Sequence, residues 1–111
     1  MTNYKQSDII LVDFGFSEKM GSKKRPALIL SSNQYNEKRQ EVIAAAITSN
    51  IERVLFGDTK ITDWKNAGLL YPSLVTGIIR TIKSTMIINT LGNLSKHDFR
   101  KVQENLWKVI S

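Results

Sequence analysis

The chain has 111 residues, of which 41% are hydrophobic and 23% charged, so residues 1–111 suffice for one folded domain and are too few for two. This balance excludes a disordered or low-complexity protein, and no stretch approaches the ~20 apolar residues that a membrane span needs. Sixteen lysines and arginines against ten acidic residues give a net charge of +6, which favours an anionic partner such as nucleic acid but is also what keeps a small protein soluble.

Cysteine is absent, which excludes disulfides, thiolate metal sites and cysteine nucleophiles. Residues 1–8 are mostly polar where a signal peptide has an apolar run. We therefore expect a cytoplasmic protein without a membrane segment. His97 is the only histidine, so a pair of histidines for RNA cleavage is excluded, and we expect His97 to be an ordinary surface residue.

The first half of the chain is typical of short β-strands. Residues rich in Ile, Leu, Val and Ala predict strands over 8–14, 25–31 and 41–49. The polar residues 15–24 predict a long loop, and long loops in compact domains are often functional. Pro26 can lie only at the start of its strand or on an edge of the sheet. Residues 32–39 predict a polar turn.

The second half continues with β-like runs and ends in a helix. Residues 53–62 predict two short strands joined at Gly57-Asp58, residues 63–68 predict one helical turn that ends at Gly68, and two more strands are predicted over 73–80 and 85–91. A helix is then predicted with Ser95 as the N-cap and Asp98 in a variant of the capping box.

The C-terminal helix is predicted to be amphipathic and docked on the sheet. Leu94 and Phe99 fit a hydrophobic staple at its start. Apolar residues recur at helical spacing at Phe99, Val102, Leu106, Val109 and Ile110. The predicted class is therefore α+β, with a small, strongly curved antiparallel sheet, a short helix and a C-terminal amphipathic helix.

Arg25 and Thr48 are the residues whose positions suit chemistry. The chain has no GxGxxG, P-loop or HExxH motif. Arg25 follows the glycine-containing loop GSKK, and Thr48 with Ser49 ends the third strand. Such strand ends can form a groove in which an arginine stabilises a phosphorane and a hydroxyl orients the phosphate. From spacing alone, a solvated basic loop and a strand-end threonine are the simpler explanation.

Phe14 and Phe16 flank the long loop. Aromatic side chains in such places stack on splayed bases in proteins that read single-stranded RNA. The alternative, that at least one of the two belongs to the core, is equally open.

The segments DIILVDF, GSKKRPALILSS and EVIAAAITS, in this order, resemble the MazF/PemK family of toxins from type II toxin–antitoxin modules. The segments DWKNAGLLYPS and GIIRTIKSTMIINTLGNLS, followed by an amphipathic helix, are similar to the C-terminal half of the same family. The resemblance runs from about Asp8 to Leu106, and its most specific parts are residues 21–26, 46–49 and 79–81.

The resemblance implies a compact SH3-like β-barrel with appended helices. Members of the family are mostly sequence-specific endoribonucleases that cut single-stranded RNA without metal, leaving 2′,3′-cyclic phosphate and 5′-hydroxyl ends. The family's catalytic arginine corresponds to Arg25 and its catalytic threonine or serine to Thr48. The family also implies a homodimer with RNA across the dimer groove, which the antitoxin's C-terminal segment blocks. Since the groove is basic, we expect that segment to be an acidic, disordered tail.

The expected site therefore has two catalytic residues, Arg25 and Thr48, and neither metal nor cofactor. The residues expected to bind RNA are Lys23, Lys24, Phe14, Phe16, Ser49 and Arg80. The chain departs from better-known members at Asp13-Phe14, where a proline usually follows the aspartate, and at Gly77-Ile78, where Glu-Gln is frequent. Two alternatives remain open: a gyrase-poisoning toxin of the same fold, and a non-catalytic RNA-binding barrel.

Overall fold

A computed structural model describes residues 4–13 and 23–111. In chain order these residues form β1 (Asp8–Asp13), β2 (Lys24–Ile29), α1 (Asn33–Arg39), β3 (Glu41–Thr48), β4 (Thr59–Lys60), β5 (Leu74–Lys83), β6 (Ile87–Asn93) and α2 (Lys96–Ile110). A single 3₁₀ turn, Ser84–Met86, joins β5 to β6. Within the described residues, no helix combines the length and the apolar character needed to cross a bilayer. The predicted α+β class is confirmed.

The strands form one antiparallel sheet in the order β4-β5-β3-β2-β1-β6. Pro26 lies in β2, between two neighbouring strands, yet it interrupts neither ladder. It pairs with Leu11 of β1, whereas the pairing of β2 with β3 begins one residue later, at Ala27↔Ala46. Pro26 is the third residue of β2, but β2 is still an edge on the β3 side at this point, which fits the prediction that the proline lies at a start or on an edge.

Both faces of the sheet are apolar, because adjacent residues of each strand point to opposite sides. One core cluster joins the sheet to α2, and its buried members are Ile9, Leu28, Ala45, Ile47, Ile61, Ala67, Leu69, Val75, Leu94, Val102 and Leu106. The other cluster contains Ile10, Val12, Ala27, Ile29, Val42, Ala44, Ile82 and Ile87. The predicted amphipathic helix is confirmed, with Leu94 buried before its N-cap and Phe99, Val102 and Leu106 on the same cluster. The predicted stripe is wrong at its end, because Val109 is 49% and Ile110 71% exposed.

The sheet is barrel-like, although its hydrogen-bond ladder does not close, since β4 and β6 are its edges. Two glycines bring the segment after β4 against β6. A Cβ atom on Gly92 would lie 2.2 Å from the carbonyl oxygen of Ala67, and one on Gly68 would lie 2.2 Å from that of Leu91. Gly68 also has a φ of +89°, which favours glycine. This contact between two backbones covers the gap between the two edges.

The prediction of a polar turn over residues 32–39 is wrong, because Asn33–Arg39 is the helix α1. Ser32 caps it by accepting a hydrogen bond from Tyr35 N at 3.1 Å. Its buried residue is Asn36, which accepts a hydrogen bond from the Ser31 hydroxyl and donates to the Ser31 carbonyl at 3.3 Å. The helix thus docks through an amide and not through an apolar stripe, so it leaves no hydrophobic periodicity in the sequence.

The prediction of two strands within residues 53–62 is also wrong, because only Thr59–Lys60 is a strand in this segment. The turn at Gly57-Asp58 is present: Asp58 N donates to Leu55 O at 3.0 Å, and Leu55 N donates to the Asp58 carboxylate at 2.9 Å. Residues 63–68 form successive turns in place of a regular helix, with one helix-like bond from Ala67 N to Asp63 O at 3.2 Å.

The carboxylate of Asp98 ties α2 to the segment after β4. It accepts hydrogen bonds from Thr62 Oγ1 at 2.7 Å, Thr62 N at 3.2 Å and Asp63 N at 3.0 Å, while Asp98 N donates to the N-cap Ser95 at 3.1 Å. Burial acts to raise the pKa of Asp98, but hydrogen bonds from Thr62, Asp63 and Ser95 outweigh burial and hold this pKa below its ordinary value.

We predict that Gly92→Ala destabilises the protein by about 1–3 kcal/mol, because the new methyl group overlaps a backbone carbonyl that cannot move aside cheaply. Gly77→Ala is the matched control, since a Cβ atom there meets nothing within 4 Å, and its effect should stay within about 0.5 kcal/mol. Urea unfolding of both variants measures the difference. Equal stabilities would contradict the proposed role of the contact.

We predict that Asp98→Asn lowers the free energy of unfolding at pH 7 by about 1–3 kcal/mol, the range for buried hydrogen bonds to a charged group. A depressed folded-state pKa means that the carboxylate stabilises the fold above its unfolded-state pKa of about 3.9 and loses this effect as the pH falls through the folded-state value. The difference between variant and wild type should therefore shrink below about pH 4.

Urea unfolding at pH 7 and pH 3 tests this, with Asp63→Asn as the control. The Asp63 carboxylate accepts from the exposed Asn66 side chain at 2.8 Å, so its loss should change stability by no more than about 0.5 kcal/mol. If the free energies of unfolding of Asp98→Asn and the wild type differ by the same amount at both pH values, the ionised carboxylate has no stabilising role.

Candidate functional site

A groove of about 440 Å³ opens beside the start of β2 and the end of β3. It is lined by Leu11, Arg25, Pro26, Ile47, Thr48, Ser49, Gly68, Leu69, Leu70, Tyr71, Ser73 and Leu91. We call this the first groove. It brings together three of the residues that the sequence predicted for the site: Arg25, Thr48 and Ser49.

The register of the sheet explains why Arg25 and Thr48 meet. In the antiparallel pairing of β2 with β3, Ala27 faces Ala46 and Leu28 faces Ala45. The same register continued two residues outward sets Arg25 across from Thr48. The start of one strand and the end of its neighbour thus place a cation and a hydroxyl at the same end of the sheet.

Among the described residues that line the first groove, Arg25 is the only charged one. Its side chain is exposed, and no carboxylate of the described residues forms an ion pair with it. The guanidinium, with five N–H donors in a planar fork, is therefore available for an external anion. This planar fork can donate two hydrogen bonds to one phosphate group, which is the anionic group of nucleic acids.

Thr48 is half-buried, and its side chain has a defined position. Its Oγ1 accepts a hydrogen bond from Asn50 N at 3.2 Å, which closes a small turn after β3. A hydroxyl has one donor as well as its acceptor lone pairs, so the Thr48 O–H remains able to donate. Ser49 beside it is exposed and carries a second hydroxyl on the groove.

Leu70 and Tyr71 also line the first groove, and the sequence analysis did not identify either residue. Leu70 is 82% exposed and Tyr71 is 64% exposed, although both are large and largely apolar. Both lie in residues 66–79, the longest stretch of the chain without a charge. Uncharged residues left at the surface mark a binding face, so this stretch is a signal in the sequence, although it does not show which of its side chains stay exposed.

A second groove of about 340 Å³ lies on the other side of Thr48, which lines both. Its other residues are Asn50, Arg53, Leu55, Phe56, Asp58, Thr76, Gly77, Ile78 and Val109. Its floor is a β-bulge: Ala45 pairs with Ile79 and Ile47 with Val75, which leaves residues 76–78 opposite the single residue Ala46. The Thr76 hydroxyl holds the bulge by donating to Ala46 O at 2.8 Å.

The other predicted RNA-binding residues lie outside the two grooves or outside the described residues. Lys23 and Lys24 are exposed and directly precede Arg25. Arg80 is on β5 opposite Ala44 and lines neither groove. Phe14 and Phe16 are not among the described residues. The roles of all five in RNA binding stay predictions.

Neither groove resembles a metal centre. In residues 4–13 and 23–111, no three His, Asp or Glu side chains come together in a way that could hold a metal ion. His97 is exposed near the start of α2 and lines neither groove. The chemistry that the first groove can offer is a cationic fork and hydroxyl donors beside apolar walls.

A sequence model described as "PemK-like, MazF-like toxin of type II toxin-antitoxin system" matches residues 5–110. No curated protein sequence matches the chain. Similar solved structures include an endoribonuclease in complex with its cognate antitoxin from a mycobacterial species, at 18% identity over 96% of this chain and 94% of that one, with a TM-score of 0.77.

The Mycobacterium tuberculosis toxin MazF-mt6 is similar at 23% identity over 93% of this chain and 95% of its own, with a TM-score of 0.75. A MazE-MazF structure from Deinococcus radiodurans is similar at 16% identity over 100% and 98% of the two chains, with a TM-score of 0.77. These likenesses show a shared fold. Since the family match covers nearly the whole chain, the protein belongs to the PemK-like, MazF-like toxins of type II toxin–antitoxin systems.

Proposed function

We propose that this toxin is an endoribonuclease that cuts single-stranded RNA without a metal ion and leaves 2′,3′-cyclic phosphate and 5′-hydroxyl ends. The observation that carries the proposal is the placement of Arg25 and Thr48 on one groove, where none of the described lining residues is a carboxylate. Two of the similar mycobacterial structures are described as endoribonucleases, which supports the same activity here.

In the proposed reaction, the ribose 2′-oxygen attacks the adjacent phosphorus as its proton leaves. The bond from phosphorus to the 5′-oxygen then breaks, and that oxygen takes up a proton. Arg25 stabilises the charge that develops on the non-bridging phosphate oxygens, because a preorganised donor acts most strongly where charge appears in the transition state. Arginine stays protonated near neutral pH, so it suits this role better than that of a base.

The Thr48 hydroxyl donates a hydrogen bond to the scissile phosphate. Its own position is fixed by the bond that it accepts from Asn50 N, so the donor is oriented before RNA arrives. Ser49 adds a second hydroxyl, and Lys23 and Lys24 attract the backbone phosphates on either side. No described residue is assigned as the general base.

The proposed partners are a second copy of this chain and an antitoxin whose acidic, disordered C-terminal tail covers the first groove. Arg25, which has no ion pair within residues 4–13 and 23–111, would attract acidic side chains, and the exposed Leu70 and Tyr71 would accept apolar anchors. Two of the similar structures are complexes of a toxin with its antitoxin, which supports this partner. The proposed location is the cytoplasm, where messenger RNA is available.

Incubation of the purified protein with a long, unstructured RNA in EDTA tests the proposed function. We expect cuts at defined sites, whose new 5′ ends accept a phosphate from polynucleotide kinase without prior phosphatase treatment. Bound but intact RNA would support the non-catalytic RNA-binding barrel. Intact RNA together with inhibition of gyrase would support the gyrase-poisoning alternative, and cleavage that needs a divalent ion would contradict the mechanism.

We predict that Arg25→Ala lowers the cleavage rate by ~10²–10³-fold while the protein stays folded, the loss typical of one preorganised charge-stabilising donor. Arg25→Lys should also cleave poorly, because an ammonium group cannot reproduce the planar fork. Single-turnover cleavage at saturating protein measures the rate, and thermal unfolding checks the fold.

Lys24→Ala is the matched control for Arg25, since it removes the neighbouring exposed cation. We expect it to weaken RNA binding and to reduce its salt dependence by about one counterion, with little change in the rate at saturation. If Arg25→Ala behaves like Lys24→Ala, the arginine binds RNA without acting in the chemical step.

We predict that Thr48→Ser keeps most of the activity and that Thr48→Val loses most of it. Serine retains both the donor and the acceptor for Asn50 N, whereas valine keeps the β-branched shape and removes the hydroxyl. Single-turnover rates of the two variants separate hydrogen bonding from packing. An active valine variant beside an inactive serine variant would show that Thr48 is structural.

A further inference from the structure

The ring of Tyr71 is exposed to solvent in the wall of the first groove. It is 64% exposed and belongs to neither core cluster of the described residues, so packing against these clusters does not account for an aromatic residue there. Leu70 beside it is 82% exposed. Two large side chains left uncovered at one end of the sheet indicate a surface that a ligand covers.

The backbone at Tyr71 is held in place before any ligand binds. Pro72 follows, which restricts Tyr71 to extended conformations. The Ser73 hydroxyl donates to the Tyr71 carbonyl at 2.8 Å. Ser73 is buried, and upstream Gly68 is fixed by its contact with β6. An aromatic ring on such a backbone loses little conformational freedom when a ligand covers it.

The residues that line the first groove form two sets, which suit two different parts of a nucleotide. Arg25 and the hydroxyls of Thr48 and Ser49 suit a phosphate, which has no use for an apolar wall. Tyr71, Leu70 and Leu91 suit a planar, largely apolar group, and in RNA that group is the base. Since one groove of about 440 Å³ holds both sets, the base in question belongs to a nucleotide directly beside the scissile phosphate.

We propose that Tyr71 is a specificity-determining residue that stacks on the base next to the cleaved bond. The inference rests on the proposed function, because it takes RNA as the ligand of this groove. Stacking accepts every base but favours those with the larger π surface, so Tyr71 strengthens binding and biases the cut site at one position.

Binding is measured with 2′-O-methyl oligonucleotides, which lack the attacking hydroxyl and are not cut. Four homopolymers, of adenine, guanine, cytosine and uracil, serve as probes in fluorescence anisotropy. We expect Tyr71→Ala to weaken binding of the best-bound probe roughly 5- to 150-fold and to reduce the differences among the four. Tyr71→Phe should bind like the wild type, because the ring and not its hydroxyl makes the stack.

Trp107→Ala is the matched control, since Trp107 is also 64% exposed but lines neither groove. It should leave both binding and cleavage unchanged. In cleavage of a long RNA, Tyr71→Ala should raise KM more than it lowers kcat and should relax the base preference at one of the two positions that flank the cut.

Wild-type binding and unchanged base preference in Tyr71→Ala would overturn the inference. So would a loss confined to kcat, which would make Tyr71 a support for the groove wall. Weakened inhibition by an acidic tail peptide with normal RNA binding would assign the ring to the antitoxin instead. Arg25→Ala, run in parallel, keeps the proposals apart: if it lacks cleavage while Tyr71→Ala is normal, the function stands and the stacking role fails.

Discussion

The contact between the backbones of Gly68 and Gly92 is the constraint on which the rest of the structure depends. An antiparallel sheet with β4 and β6 as edges needs something to cover the gap, and the segment after β4 does so only because no side chain separates it from β6. The same contact fixes the chain just before Leu69, Leu70 and Tyr71. The same backbone contact therefore closes the barrel and positions the wall of the first groove.

The opposite wall depends on the register of β2 with β3, and this register brings Arg25 and Thr48 to the same end of the sheet. The small side chains of β3 matter here, because Ala44, Ala45 and Ala46 pair with β2 while both faces of the sheet remain packed. The bulge opposite Ala46 then interrupts the pairing of β3 with β5, which resumes at Ile47↔Val75 and Thr48↔Leu74. Bulges near strand ends re-aim side chains, and Thr48, two residues beyond this bulge, lines two grooves.

The sequence predicted the elements that bury apolar residues and missed the one that buries an amide. β1, β3 and α2 carry runs or stripes of apolar residues and were predicted within a few residues, whereas α1 docks through Asn36 and was predicted as a turn. Arg25 and Thr48 were predicted because the resemblance identified them. Tyr71 was missed, because an uncharged run between strands does not indicate which of its side chains stay exposed until the long-range contact at Gly92 is known.

The departure of this chain at Gly77-Ile78 falls on the bulge that floors the second groove. A Cβ atom on Gly77 would meet nothing within 4 Å, and Ile78 is 64% exposed, so neither residue is required by the packing of the sheet. Larger polar side chains at these positions would extend into the groove without disturbing the strands. Glycine and isoleucine therefore change what the groove presents to a ligand, an open apolar surface beside Thr48, and leave the barrel as it is. Selection can act on this surface separately from the fold, because the two depend on different residues.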